Sequence, residues 1–209
     1  MFLPPLLRPL ALAGLSALCL LTACSDEQPI AAQAPATVVK TIGSDVSSDG
    51  IGAPFTLTGA DGKDVARNDL LGKTVLLSFG YTSCPDICPT NLLTYAQSMS
   101  LLSPEQQDQV AVVFVSIDPE RDTPARLTEY VHLFDPRFIG LSSSDPAVLH
   151  QVMQNYQVTA TKVMRDDGDY VMDHSTGTYI LDAAGQTRLY EPHGIAAEDL
   201  THDLKTLLE

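Results

Sequence analysis

Two cysteines separated by three residues stand in the stretch Gly80-Tyr-Thr-Ser-Cys-Pro-Asp-Ile-Cys-Pro89. Paired thiols that ionise easily can close a disulfide or hold a soft metal. The apolar run Thr74–Phe79 comes directly before them. A segment with Leu92, Ala96 and Met99 on one helical face comes directly after. Cys84 and Cys88 therefore lie where a buried strand hands over to a helix. With Asp86 or a neighbour as the cap, Cys88 falls in the first helical turn. Pro89 is tolerated there, because first-turn N–H groups have no helical partner. Those groups and the helix dipole favour negative charge and so lower a thiol pKa. At i, i+4 on helical backbone the two side chains share a face. A disulfide needs Cα atoms about 4.4–6.8 Å apart, and one helical turn rises about 5.4 Å, so bridging and chelation are both feasible. A purely structural bridge across so short a loop would stabilise little.

The N-terminus decides which thiols are left to act. Arg8 supplies a positive charge, and Leu10–Ala23 is almost wholly apolar. That run is too short to span a bilayer comfortably, which takes about 20 residues. It ends in Leu21-Thr22-Ala23-Cys24, which looks like a bacterial lipobox. Residues 1–23 are expected to be a lipoprotein signal peptide, with Cys24 lipidated and becoming the mature N-terminus. Cys19 is then lost with the leader, and Cys84 and Cys88 remain as the thiols of the mature chain. An exported lipoprotein on a periplasm-facing membrane surface meets an oxidising compartment. There the pair is expected to be either a disulfide or a protected metal site.

The net charge is −14, and Arg8 is the sole charged residue before position 24, so the remainder carries −15. Nucleic-acid binding is excluded on that ground, because it needs clustered Lys and Arg.

Residues 24–50 are rich in Ala, Ser, Thr, Gln and Asp without apolar periodicity and read as a flexible tether. A coil of that length reaches about 25–30 Å. Residues 51–209 have the size of one domain. Pro54–Lys63 reads as a strand and turn, with Ala60-Asp61-Gly62 as the turn signal of a hairpin. Val110–Ile117 is a second continuous apolar run, as suits a strand buried on both faces. Pro124 opens a helix with Leu127, Tyr130, Val131 and Phe134 inward. Phe138–Leu141 reads as a short strand. Asp145-Pro146 starts another helix, with Val148, Val152 and Tyr156 inward. Lys162–Met172 contains the turn signal Asp166-Asp167-Gly168 and reads as a small hairpin, followed by a loop Asp173-His174-Ser175. Thr178–Leu181 and Gln186–Tyr190 read as strands. Leu200, Leu204, Leu207 and Leu208 mark a closing amphipathic helix.

This order describes an α/β fold, a three-layer sandwich, which the thioredoxin-like type fits, as do other three-layer folds. It carries an N-terminal hairpin extension and an inserted hairpin before the His-bearing loop. The cysteines fall at the carboxyl end of a central strand, where open α/β sheets place their chemistry. A metal site needs a third ligand. His132, His150 and His202 fall on expected helices facing solvent, and His193 lies in a turn. In a thioredoxin-like topology the loop holding His174 returns against the cysteines, which makes His174 the natural third ligand. Two thiolates and one imidazole suit copper, as Cu(I) or Cu(II), and zinc accepts the same set. Asp173 is a candidate for orienting the site from behind. A peroxide-reactive cysteine would need a cation beside it, and Arg121 and Arg137 could arrive only through folding.

Several stretches in combination resemble the Sco/SenC family. They are Tyr81-Thr-Ser-Cys-Pro-Asp-Ile-Cys-Pro89, Val115-Ser-Ile-Asp-Pro-Glu-Arg-Asp-Thr-Pro124, Phe134-Asp-Pro-Arg-Phe-Ile-Gly140 and Asp173-His174. The resemblance runs from about Ile51 to the C-terminus. It implies a thioredoxin-like fold, membrane anchoring and copper held by Cys84, Cys88 and His174. It also implies a role in assembling the dinuclear copper (CuA) centre of cytochrome c oxidase. The expected partners are the copper-bearing oxidase subunit or another copper chaperone. The alternative it carries is a thiol–disulfide reductase that keeps the target's copper-ligand cysteines reduced. In place of the transmembrane anchor of many members, this chain has what looks like a lipid anchor at Cys24.

Overall fold

The computed structural model describes residues 40–60 and 62–209. The leader, Cys24 and most of the tether lie outside the described residues. The chain enters through β1 (Ser44–Asp45), then the hairpin β2 (Thr56–Thr58) and β3 (Asp64–Ala66). A single 3-10 turn over Arg67–Leu70 leads to β4 (Thr74–Gly80), α1 (Ile87–Ser100), the short α2 (Pro104–Gln107) and β5 (Val110–Ser116). Next come α3 (Pro124–His132), β6 (Ile139–Leu141), α4 (Pro146–Asn155) and the hairpin β7 (Ala160–Met164) with β8 (Tyr170–His174). The chain closes with β9 (Thr178–Leu181), β10 (Thr187–Glu191) and α5 (Ala197–Leu208).

Among the described residues the central sheet has the order β1-β10-β9-β4-β5-β6. β4, β5 and β6 run parallel, and β9 pairs antiparallel with β4. Every residue of β4 and β5 is buried. That explains why both strands are unbroken apolar runs rather than alternating ones: each face of each strand is covered. Each fully buried Leu or Val contributes about 1.5–3 kcal/mol, so these two strands carry much of the core.

The two outer layers follow from side-chain alternation along β4. Gly80 faces Cys88 of α1 and Phe114 of β5, and Phe114 packs on Tyr130 of α3. Its neighbour Phe79 points the other way onto Tyr156, at the C-terminal end of α4. α5 lies against α1, tied by the Ser98 hydroxyl donating to the Ala197 carbonyl (3.0 Å). Thr123 and Asp145 accept N–H bonds at the starts of α3 and α4, each followed by proline. This is how Asp145-Pro146 and Thr123-Pro124 begin helices.

Three expectations need correction. Ser44 and Asp45 lie inside the expected tether, yet they pair with Tyr190 and Leu189 as an edge strand, and Val46 is buried. Backbone pairing needs no apolar side-chain pattern, so composition did not reveal it. The inner face of α4 is Leu149 and Val152, while Val148 is exposed. The inward stripe is thus set by Leu149, Val152 and Tyr156 at i, i+3 and i+7. Finally, His174 is not in a loop: it ends β8, paired with Ala160.

Candidate metal centre

The site forms at the carboxyl ends of β4 and β5. β4 ends on Gly80, and the chain turns through Tyr81 to Pro85 before α1 begins at Ile87. Cys84 therefore lies in the turn and not on the helix, a correction to the shared helical face read from the spacing. Asp86 occupies the N-cap position, but its side chain makes no cap bond. The Cys84 sulfur accepts the Cys88 N–H instead (3.5 Å). A sulfur that receives a first-turn N–H is stabilised as a thiolate.

The turn is pinned from behind. Thr82 donates its N–H (3.0 Å) and hydroxyl (2.6 Å) to the carboxylate of Asp122, which also accepts the Ser116 hydroxyl at the end of β5 (2.7 Å). Arg126 of α3 donates to Thr82 Oγ1 (2.9 Å) and Ser83 Oγ (3.1 Å). Asp122 is 1% exposed, so these donors take the place of water around its oxygens. Gly80 completes the support. A Cβ there would stand 2.5 Å from Cys88 Sγ and 2.7 Å from Phe114 Cζ. Only glycine lets the sulfur sit over the end of the strand.

His174 comes from the β7–β8 hairpin. Its Nδ1 lies 2.6 Å from the Ser175 carbonyl oxygen. A carbonyl only accepts, so Nδ1 carries the proton and Nε2 keeps a lone pair. That nitrogen faces Cys88 Sγ at 3.8 Å. The ring edge rests on Tyr81, with ring centroids 5.8 Å apart. The backbone carbonyl of Ser175, and not the exposed Asp173, holds the imidazole.

The sulfurs of Cys84 and Cys88 and a ring nitrogen of His174 lie within 4.8 Å of one another. For bonds of about 2.3 Å to sulfur and about 2.0 Å to nitrogen, an angle of about 120° separates the two donors by about 3.7 Å. The Cys88–His174 spacing thus fits a common metal ion. The donor set is soft, which selects Cu(I), while the imidazole also serves Cu(II).

Cys84 and Cys88 are both free thiols, and they differ in their surroundings. The Cys84 thiol is pulled down to about 3, first by the hydrogen bond from Cys88, then by His174 and the N–H groups of Asp86 and Cys88, against partial burial. The buried Cys88 is pushed strongly upward by the same pair bond and by burial. In the reduced pair Cys84 is the thiolate and Cys88 keeps the proton. A cleft of about 360 Å³ opens over Cys84 and His174, lined also by Tyr81, Pro85 and Met172 among others.

The structure thus brings together the three residues expected to bind metal. His132, His150, His193 and His202 are exposed and take no part. Arg137 pairs with Asp135, and Arg121 with Asp118. Neither supplies the cation that a peroxide-reactive cysteine needs. Tyr81, Ser116, Asp122, Arg126 and Ser175 were not singled out from sequence. Asp122 and Ser116 do lie in the Val115–Pro124 stretch, whose density of polar residues after a buried strand was the available signal.

The family model described as SCO1/SenC matches residues 44–209. The chain belongs to that family. Among SCO1/SenC relatives, the mitochondrial SCO1 homolog 1 of Arabidopsis thaliana is 42% identical over 131 residues, which is 63% of this chain and 39% of that protein. The chain thus spans well under half the length of that plant relative. Bradyrhizobium japonicum ScoI, solved with copper bound, is 42% identical, with a TM-score of 0.69 over 75% of this chain and 99% of that one. BsSco is 22% identical, with a TM-score of 0.57 over 80% of this chain and 95% of that one. Its structure is described by a disulfide switch in a member of the Sco family of cytochrome c oxidase assembly proteins. At that identity the likeness speaks to the fold, which is the thioredoxin-like one expected. The Cys84–Cys88–His174 group could hold copper, as the copper-bound ScoI neighbour does.

Proposed function

We propose that this chain is a membrane-anchored periplasmic copper chaperone that binds one copper ion through Cys84, Cys88 and His174. It serves assembly of the CuA centre of cytochrome c oxidase, delivering copper to the copper-bearing subunit or receiving it from another chaperone. The observation that carries this reading is the convergence of two sulfurs and an imidazole nitrogen within 4.8 Å at the mouth of an open cleft. Copper is here cargo, and three protein ligands leave room for a ligand from the recipient. The tautomer of His174 is fixed before metal arrives, and Cys84 is ionised, so binding needs to displace a proton only from Cys88. The lipid on Cys24 and the residues up to about Gly43 would hold the domain near the membrane surface.

Copper titration of the reduced protein and of His174→Ala tests the reading. Loss of Cu(II) affinity and a changed absorption spectrum are expected. Full affinity with an unchanged spectrum in the variant would remove His174 from the site.

The asymmetry of the thiols supports a second reading, reduction of the recipient's cysteines. The Cys84 thiolate would attack a sulfur of the target disulfide and release one target thiolate. Cys88, losing its proton, would then attack Cys84 and release the second. The target ends as a dithiol and the Cys84–Cys88 pair as a disulfide. This reaction is expected without metal and in His174→Ala, and its absence under both conditions refutes it.

A further inference from the structure

We infer that Arg121 is a positioning residue for the metal centre, clasping the β7–β8 hairpin so that His174 stands at ligand distance from Cys88. The inference rests on the copper-site reading above and concerns what sets its geometry. Cys84 and Cys88 are fixed by the central sheet, but the hairpin carrying His174 has no backbone pairing with that sheet among the described residues. The His174 end of β8 is tied to the sheet by the three-residue link to β9, where Asn91 of α1 donates to the Thr176 carbonyl (3.1 Å), and the rest of the hairpin is placed by side chains.

Arg121 lies between the two halves of the site. Its Nε donates to Asp118 Oδ2 (2.5 Å), and Asp118 is 2% exposed in the turn after β5. Its Nη1 donates to the Tyr170 carbonyl (3.0 Å) and to Asp169 (3.2 Å), at the start of β8. The guanidinium stacks on the Tyr170 ring at 3.7 Å and stands 5.6 Å from the Tyr81 ring centroid. Tyr170 closes the loop by donating its hydroxyl to Asp118 Oδ1 (2.8 Å). Arg121 thus touches both the turn after β5 and the hairpin, and it faces the tyrosine on which His174 rests.

Tyr170 and His174 are four residues apart on β8, on the same face of the strand and separated by about 13 Å. The clasp fixes one end of β8 and the metal ligand sits at the other. A lysine could keep the charge but not the fork that reaches Asp118 and the Tyr170 carbonyl together. Losing a group bonded directly to a metal ligand typically costs about 10–100-fold in affinity, and Arg121, acting one step further away, belongs at the low end of that range.

Arg121→Gln, Tyr170→Phe, the double variant and His174→Ala should be compared with wild type by three measurements. These are Cu(II) affinity, the Cu(II) absorption and EPR spectra, and, without metal, NMR contacts between the His174 ring and Cys88. Arg121→Gln is expected to weaken Cu(II) binding by about tenfold, to shift the spectra toward those of His174→Ala and to weaken the ring contacts. Tyr170→Phe, which removes one hydroxyl and keeps the ring, should move the same readouts less. The double variant should add little to Arg121→Gln, since both act through one clasp. If His174→Ala changes the copper spectra while both clasp variants leave spectra and ring contacts as in wild type, the positioning role is refuted and the copper site stands. If His174→Ala leaves the spectra unchanged, the copper-site reading fails, and the metal-free ring contacts still decide whether Arg121 sets the position of His174. Should Arg121→Gln fail to fold, Tyr170→Phe carries the same test.

Discussion

Replacing Glu191 with Gln should remove a pH dependence of stability built into the edge of the sheet. Glu191 ends β10 and is fully buried, and neither carboxylate oxygen has a hydrogen-bond partner. Gly43 presses on it so closely that a Cβ there would come within 2.7 Å of both carboxylate oxygens. The neighbouring Asp203 accepts the N–H groups of Ile42 (3.0 Å) and Gly43 (2.7 Å), holding these two residues against α5. Burial, and after it the adjacent Asp203 and Asp199 carboxylates, push Glu191 up to about 8 from an ordinary value of 4.5. The folded protein therefore keeps a proton that the unfolded chain has already lost. Between these two values unfolding releases that proton, so stability is greatest at low pH and falls as pH rises toward about 8. At about 1.4 kcal/mol per pH unit, the loss between pH 5 and pH 8 is on the order of 4 kcal/mol. Glutamine keeps the shape and cannot ionise. Urea unfolding of both proteins at pH 5, 6, 7 and 8, extrapolated linearly, gives the comparison. Glu191→Gln should gain on wild type by about 4 kcal/mol across that range. Parallel stability curves for the two proteins would refute the assignment of a buried, protonated Glu191.

Two further predictions concern the thiols and their support. Iodoacetamide should alkylate Cys84 first, at a rate that stays nearly flat from pH 8 down to about pH 4, because its thiolate persists to about 3. A rate that rises with a midpoint near 8.5, the ordinary thiol value, would contradict the pair's asymmetry. Gly80→Ala should lower stability by about 1–3 kcal/mol, as overpacking does, and weaken copper binding, because the new methyl would displace the Cys88 sulfur. Thermal unfolding and copper titration measure both, and a variant matching wild type in each would show that the close approach is relieved at no cost.

Much of the fold was legible because its causes are local. Thr74–Phe79 and Val110–Ile117 read as buried strands from apolar continuity alone, and the strands they form, β4 and β5, are buried along their full length. Pro124 and Asp145-Pro146 announced helix starts through the fixed φ of proline and, at Asp145, through capping. Two of the candidate ligands were legible, since Cys84 and Cys88 are rare side chains at a strand-to-helix junction.

What the residues alone could not determine was where distant segments meet. β1 pairs through backbone groups that leave no side-chain signature, so Ser44 and Asp45 looked like tether. The face of α4 depended on which neighbour it met, and Leu149 rather than Val148 turned inward. Cys84 left the helix because its sulfur caps the first turn, a role that spacing does not reveal. His174 joined the two sulfurs only when the β7–β8 hairpin brought its ring nitrogen within 3.8 Å of Cys88, 86 residues away in sequence. Sequence determined the donors and the strand that carries two of them. The tertiary structure decided their distances, because those depend on contacts such as Gly80 with Cys88 and Arg121 with Tyr170, made by residues far apart along the chain.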